Sequence, residues 1–179
     1  MANLIRLTYV SKATFDCDVA SGEIEPDVAD ILVQARKNNQ KSKVSGALFF
    51  GEGYFFQCLE GRPSLILSLV EKIKTDSRHQ NIKISYQRRV YRRYFSGWSM
   101  KYVPVTDNVY RLMKLRGYPE FDPINFDESD INEMFEMFTK VEDTSLINER
   151  LKEYSSIIKP WWRRVVDKVI PRIASSPEA

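Results

Sequence analysis

Val44-Ser45-Gly46-Ala47-Leu48-Phe49-Phe50-Gly51-Glu52-Gly53-Tyr54-Phe55-Phe56-Gln57-Cys58-Leu59 reads as two apolar strands, 44–50 and 54–59, around a short Gly-Glu-Gly turn. A glycine-containing connection this short favours a hairpin. Upstream, Val28, Ile31, Leu32 and Ala35 recur at i, i+3, i+4 and i+7, the spacing of an amphipathic helix over 27–39. Pro26 suits the first turn of that helix and Asn38-Asn39 its end. Before it, Leu4 to Val10 alternates as a strand, with Ile5, Leu7 and Tyr9 on one face and Arg6 and Thr8 on the other. Downstream, Ile66, Leu69, Val70 and Ile73 repeat the helical spacing over 63–75. Ile82, Ile84 and Tyr86 then alternate as a fourth strand, and Trp98, Met100 and Tyr102 as a fifth. The order is β-α-β-β-α-β-β: an α+β, ferredoxin-like sheet with one extra strand. Right-handed crossovers place both helices on one face.

Composition narrows the function. The chain has 179 residues, of which 43% are hydrophobic and 28% charged, enough for a globular core. Lys+Arg number 27 against 24 Asp+Glu, so a net charge of +3 gives no general argument for nucleic acid or membrane binding. Two cysteines, Cys17 and Cys58, exclude a disulfide framework, and a single histidine, His79, makes a His-rich metal site improbable. The amino terminus lacks the apolar core of a signal peptide, and no apolar run of about 18 residues occurs. A reduced, soluble, cytoplasmic protein without metal is expected.

From about Thr106 the pattern changes. Pro119 and Pro123 break the chain, Asp127 caps a helix over 127–140 with the stripe Ile131, Met134, Phe135 and Phe138, and further helical stretches carry Ile147 to Ile158 and Pro160 onward. The reading divides the chain into a sheet domain, 1–105, and a helical extension, 106–179. Tyr54, Phe56 and Cys58 point away from the two sheet helices, leaving an apolar back face that must be covered. The helix 127–140 is the expected cover.

Three polar residues interrupt the apolar pattern. Asn38 follows Ile31 and Ala35 on the buried side of its helix, Gln57 lies between Phe55 and Leu59, and Tyr9 continues the face of Ile5 and Leu7. Two amides and a phenol thus converge between sheet and helices. An unpaired buried amide costs about 1–3 kcal/mol, so these groups satisfy either one another or a bound polar ligand.

These residues carry a family resemblance over roughly 3–105. Arg6-Leu7-Thr8-Tyr9-Val10-Ser11, Asn38-Asn39, Val44-Ser45-Gly46, Phe55-Phe56-Gln57-Cys58-Leu59-Glu60-Gly61, Asp76-Ser77-Arg78-His79 and Phe95-Ser96-Gly97-Trp98-Ser99-Met100 together resemble BLUF domains, the blue-light sensors using FAD. The resemblance implies FAD between the helices 27–39 and 63–75, its ring over the sheet. Asn38 matches the asparagine that hydrogen-bonds the ring edge, with Asn39 its neighbour. Ile31 and Phe55 match apolar walls, Gln57 the glutamine bridging flavin and tyrosine, and Tyr9 that tyrosine. Lys72, where the family often has Arg, joins Asp76, Arg78 and His79 at the ribityl–phosphate end. Trp98 and Met100 match the last-strand pair near the glutamine. The implied chemistry suits the residue types: a phenol gives up an electron and a proton, and a neutral carboxamide with a donor and an acceptor end relays the proton. The resemblance implies signalling without turnover. Because 106–179 is too short and too helical for a cyclase or phosphodiesterase, no attached catalytic domain is expected, and output is expected to pass to a separate partner protein or through a change in self-association.

Other signals are set aside. Gly51-Glu52-Gly53 lacks the third glycine of a dinucleotide fingerprint, since Phe56 stands there. An EF-hand over 122–133 fails at Asp127 and Ile124. The Arg88-Arg89 and Arg92-Arg93 cluster reads as a solvated loop, and the basic stretch from Trp161 as a helix packed on the body. Two competing readings remain: an acylphosphatase-type hydrolase on the same scaffold, and an RNA-binding sheet with Tyr54 and Phe56 stacking on bases.

Overall fold

The computed structural model describes residues 3–17, 24–104 and 107–141. These belong to one compact unit, Met1–Thr144. A second unit, Ser145–Ala179, lies outside the described residues, as do the helices expected over Ile147 to Ile158 and beyond Pro160 and most of the loop after Cys17.

The five strands are β1 (Leu4–Ala13), β2 (Ser45–Gly51), β3 (Tyr54–Gly61), β4 (His79–Val90) and β5 (Lys101–Val103). They form one sheet in the order β4-β1-β3-β2-β5, antiparallel except for the β2–β5 pair. This is the expected ferredoxin-like arrangement with an added parallel edge. The hairpin closes as expected. Gly51 pairs with Tyr54, so Glu52-Gly53 is a two-residue loop, and both residues have positive φ (50° and 76°). That combination is the I′ turn, whose twist matches the strands it joins.

Helices α1 (Pro26–Ser42) and α2 (Pro63–Lys74) follow β1 and β3. The Glu25 carboxylate caps α1 by accepting from Val28 N at 3.0 Å. Its far end corrects the expected stop at Asn38-Asn39: the helix continues to Ser42, and Lys43 closes it in the left-handed conformation, its N–H bonding back to Asn39 and Gln40. The fifth strand is also shorter than the Trp98-Met100-Tyr102 alternation suggested. Only Lys101–Val103 pairs with β2 as a ladder: Trp98 O still accepts from Gly46 N of β2, but the Ser99 and Met100 carbonyls are taken by the Asn39 and Arg36 side chains of α1.

The back face is covered by α3 (Asp107–Leu115), a 3-10 turn (Pro123–Asn125) and α4 (Glu128–Lys140). Asp127 and Asp130 form a capping box at the start of α4. Ile131, Met134, Phe135 and Phe138 of α4 pack with Ala47, Phe49, Phe56 and Cys58 of the sheet in one buried cluster. Phe49 stacks on Phe138 at 5.9 Å, and Phe56 meets Phe138 edge-on at 5.7 Å. Helix α3 had no counterpart in the sequence reading. Its buried stripe is only Val109 and Met113, too narrow to stand out. The Glu52 carboxylate, on the hairpin turn, accepts from Phe121 N at 2.8 Å and ties the turn to this cover.

A buried ion pair also sits on the back face. Arg6 Nε donates to Glu60 Oε1 at 2.7 Å, both side chains almost wholly out of solvent. Glu60 further accepts from the backbone N–H groups of Tyr94 and Phe95, each at 2.9 Å, and so anchors the β4–β5 connection. The Arg6 guanidinium lies 3.5 Å from the centre of the Tyr94 ring. The basic cluster is thus partly structural: Arg88 pairs with Glu128, and Arg93 donates to Lys43 O and Ser45 Oγ. Of the cysteines, Cys17 is exposed and Cys58 is sealed in the back-face cluster.

Candidate functional site

Helices α1 and α2 stand apart over the front of the sheet, leaving a cleft of about 170 Å³ between them. Ile31 and Ala35 of α1 face Leu69 and Ile73 of α2, while Tyr9, Gln57 and Leu59 form the floor. Lys72, Asp76, Arg78 and His79 close one end, and Gln34, Asn38 and Asn39 complete the lining from α1. The periodicity explains this: Ile31, Ala35 and Asn38 fall on one stripe of α1, and Gln57 and Leu59 on one face of β3.

On the floor, Tyr9 Oη donates to Gln57 Oε1, a contact made possible because Tyr9 and Gln57 are direct cross-strand partners. Gln57 Nε2 in turn donates to Met100 Sδ at 3.4 Å. All three side chains are buried. Burial pushes the Tyr9 phenol far above its ordinary range, and the charge of Asp76 adds to the effect. Tyr9 therefore holds its proton and acts as the donor, which turns the Gln57 oxygen toward it and the amide nitrogen toward the sulfur.

At the cationic end, Arg78 grips Asp76 through Nε at 2.9 Å and Nη2 at 2.6 Å. Burial opposes the Asp76 charge, but the hydrogen bonds from the Arg78 side chain and backbone outweigh it and hold the carboxyl below its usual range. Lys72 is left as the exposed cation at this end. His79 shares a hydrogen bond of 2.8 Å with Ser11 Oγ and packs against Phe55 at 4.4 Å. Desolvation lowers the His79 pKa to about 4. In the unfolded chain the imidazole takes up a proton near 6.5, in the folded chain only near 4, so between these values acid favours unfolding. Unfolding free energy is expected to fall as pH drops through this window, by up to about 3 kcal/mol from this group. Denaturant titrations at a series of pH values check it, and His79→Gln should flatten the slope.

Of the residues singled out from sequence, Tyr9, Ile31, Asn38, Asn39, Gln57, Lys72, Asp76, Arg78 and His79 share this cleft. Phe55 does not line it; the ring is buried behind His79. Met100 reaches the floor through Gln57, whereas Trp98 packs with the back-face cluster. The turn at Ser96-Gly97 and the bends at Ser99 and Met100 break the alternation that would have kept both on one face. Asn38 stands exposed at the mouth with no hydrogen bond among the described residues. Asn39 is the buried amide, and its Nδ2 donates to Ser99 O at 2.9 Å. The sequence pattern marks Leu59, Leu69 and Ile73 only as apolar-face positions; that they line the cleft is set by the gap between the helices, which periodicity does not report.

The shape and donor set suit a planar heteroaromatic group with a polar edge and an anionic tail. Apolar walls face each other across a slot, a free amide waits at the mouth, a donor–acceptor amide lies on the floor, and a lysine stands at one end. These are the features a flavin requires. Among the described residues no cluster of three or more His, Cys, Asp or Glu is placed to hold a metal, and no helix is long and apolar enough to cross a membrane.

Comparison with known proteins agrees with this geometry. The structure of BlsA in its photo-activated state superposes with a TM-score of 0.71 at 30% identity, covering 79% of this chain and 99% of that one. The dark-state structure of BlrB, a BLUF protein, gives 0.60 at 26% identity over 78% and 97% of the two chains. Photoactivated adenylate cyclase subunit alpha of Euglena gracilis is 35% identical over 79 residues, which are 44% of this chain but 7% of that much longer protein. The family model described as sensors of blue-light using FAD matches residues 4–101. That match spans more than half of the sequence and takes in every residue that lines the cleft or touches its floor, from Tyr9 to Met100. The chain belongs to the BLUF family of blue-light sensors.

Proposed function

We propose that this chain binds FAD non-covalently in the cleft between α1 and α2 and reports blue light through the Tyr9–Gln57–Met100 hydrogen-bond chain on its floor. That chain is the observation that carries the reading. The bound flavin would supply absorption of blue light and an acceptor for one electron and one proton. Tyr9 holds the mobile proton at Oη, poised by burial in its neutral form. Gln57 presents an acceptor toward Tyr9 and a donor toward Met100. Turned end for end, the amide would place its oxygen against a thioether that has no proton to give, so the original arrangement is favoured again in the dark. Asn38 is free to bond a polar ring edge, and Lys72 to meet a phosphate.

In this reading residues 1–105 carry the flavin and 106–179 form a helical extension, of which the described part covers the back of the sheet. The protein acts in the cytoplasm as a sensor and not as a turnover enzyme, passing its signal to a separate protein and working as a homo-oligomer. The competing readings find less support. A hydrolase on this scaffold needs a free arginine, yet Arg78 is held by Asp76; Ser11 and His79 are both buried, and His79 is a weak base. Base stacking on Phe56 is blocked by α4.

The purified protein is expected to be yellow, to release FAD on denaturation, and to show a reversible red shift under blue light. Release of FMN alone would remove the FAD assignment, and a colourless protein that takes up neither flavin would remove the function. Tyr9→Phe is expected to keep flavin and lose the shift. It also leaves Gln57 Oε1 without its donor, at a cost of about 1–3 kcal/mol, readable in a thermal melt.

A further inference from the structure

Lys101 is fully buried, a rare place for an ammonium. It pairs with Ala47 in the β2–β5 ladder, and its side chain leaves the sheet on the back face. There its Nζ donates to the carbonyl of Val141, the residue that caps the C-terminal end of α4, and lies 4.3 Å from the centre of the Trp98 ring. A helix C-terminus offers unpaired carbonyls and partial negative charge, and an aromatic face attracts a cation. The Val141 carbonyl and the Trp98 face are therefore each matched to an ammonium.

The residue before it, Met100, turns to the other face and takes the Gln57 amide on its sulfur. Two successive side chains of one backbone thus touch the Tyr9–Gln57 pair and the end of α4. The backbone leading into them is held firmly. Gly46 N donates to Trp98 O at 3.3 Å, Asn39 Nδ2 to Ser99 O at 2.9 Å, and Arg36 Nε to Met100 O at 2.9 Å. A segment tied at three consecutive carbonyls moves as a unit. A change in the grip of Gln57 on Met100 then passes to Lys101, because no slack peptide lies between them to absorb it.

We propose that Lys101 is the positioning residue that links the state of the Tyr9–Gln57 pair to the last turn of α4, with Trp98 as the wall that holds its ammonium. The proposal rests on the flavin reading above and adds the point where the signal leaves the sheet. Hydrogen exchange on the full chain, flavin-loaded, dark and under blue light, tests it. In the wild type, illumination is expected to change exchange at the end of α4 by about threefold or more. Lys101→Met keeps the length of the side chain without its charge; it is expected to retain the absorbance shift and lose the light-dependent exchange. Lys101→Arg, which keeps a cation, is expected to retain both. In the flavin-free chain, Lys101→Met should speed exchange at the end of α4 by about tenfold. In flavin-loaded Lys101→Met, a light response at the end of α4 as large as in the wild type overturns the proposal. So does loss of the absorbance shift in Lys101→Met, which would place Lys101 in the photochemical site. Unchanged flavin-free exchange in that variant sinks the link alone, whereas a wild type without any shift brings down the flavin reading and this proposal together.

Discussion

Gln57→Leu is expected to leave flavin bound and to erase the reversible red shift under blue light. Leucine has nearly the volume of glutamine, so the floor of the cleft stays filled and its walls, Ile31, Ala35, Leu69 and Ile73, are untouched. What disappears is both ends of the amide: the acceptor for Tyr9 Oη and the donor to Met100 Sδ. Tyr9 is then left with a buried hydroxyl and no acceptor from Gln57, which costs about 1–3 kcal/mol of stability. A light-minus-dark difference spectrum and a thermal melt on the same sample separate the two effects. A shift of wild-type size in Gln57→Leu would remove Gln57 from the mechanism, whatever the melt shows.

The second large effect lies on the opposite face. Glu60→Ala is expected to destabilise the fold by about 3–5 kcal/mol, the range for breaking one side of a buried ion pair. Arg6 would keep its charge in a site closed to water, and the N–H groups of Tyr94 and Phe95 would lose their acceptor together. For a unit of this size that corresponds to a fall in Tm on the order of 10 °C. Glu60→Gln tests the partition. It keeps an acceptor for the backbone but leaves the guanidinium unpaired, so its loss should fall between wild type and Glu60→Ala. Adding Arg6→Met to Glu60→Gln should recover part of that loss, since the charge that lacked a partner is gone. Equal melting of Glu60→Ala and wild type would show that the buried pair contributes nothing to stability.

Much of this was legible because period-two and period-3.6 patterns are direct records of which side faces the core. Tyr9 and Gln57 were placed on the front face by alternation alone, and the stripe Ile131, Met134, Phe135 and Phe138 announced the helix that covers Phe56 and Cys58. The failures share a cause: they lie where side chains override backbone regularity. Asn38 and Asn39 looked like a helix end, but Asn39 instead bonds Ser99 and the helix runs on to Ser42. Trp98 and Met100 have the spacing of strand neighbours, but the side chains of Asn39 and Arg36 take the Ser99 and Met100 carbonyls and bend that segment out of the ladder. Lys101 and the Arg6–Glu60 pair carried no warning at all, because a buried charge is identified by its partners, and those partners are distant in sequence.

The contrasting settings of the two thiols make the protein its own stopwatch. Cys17 is open to an alkylating reagent in the native state, whereas Cys58 is sealed between β3 and α4, its thiol pushed far up by burial and by the nearby charge of Glu60. Modification at position 58 must wait for the helical cover to lift, so the lag between the two labelling events measures how often that lid opens.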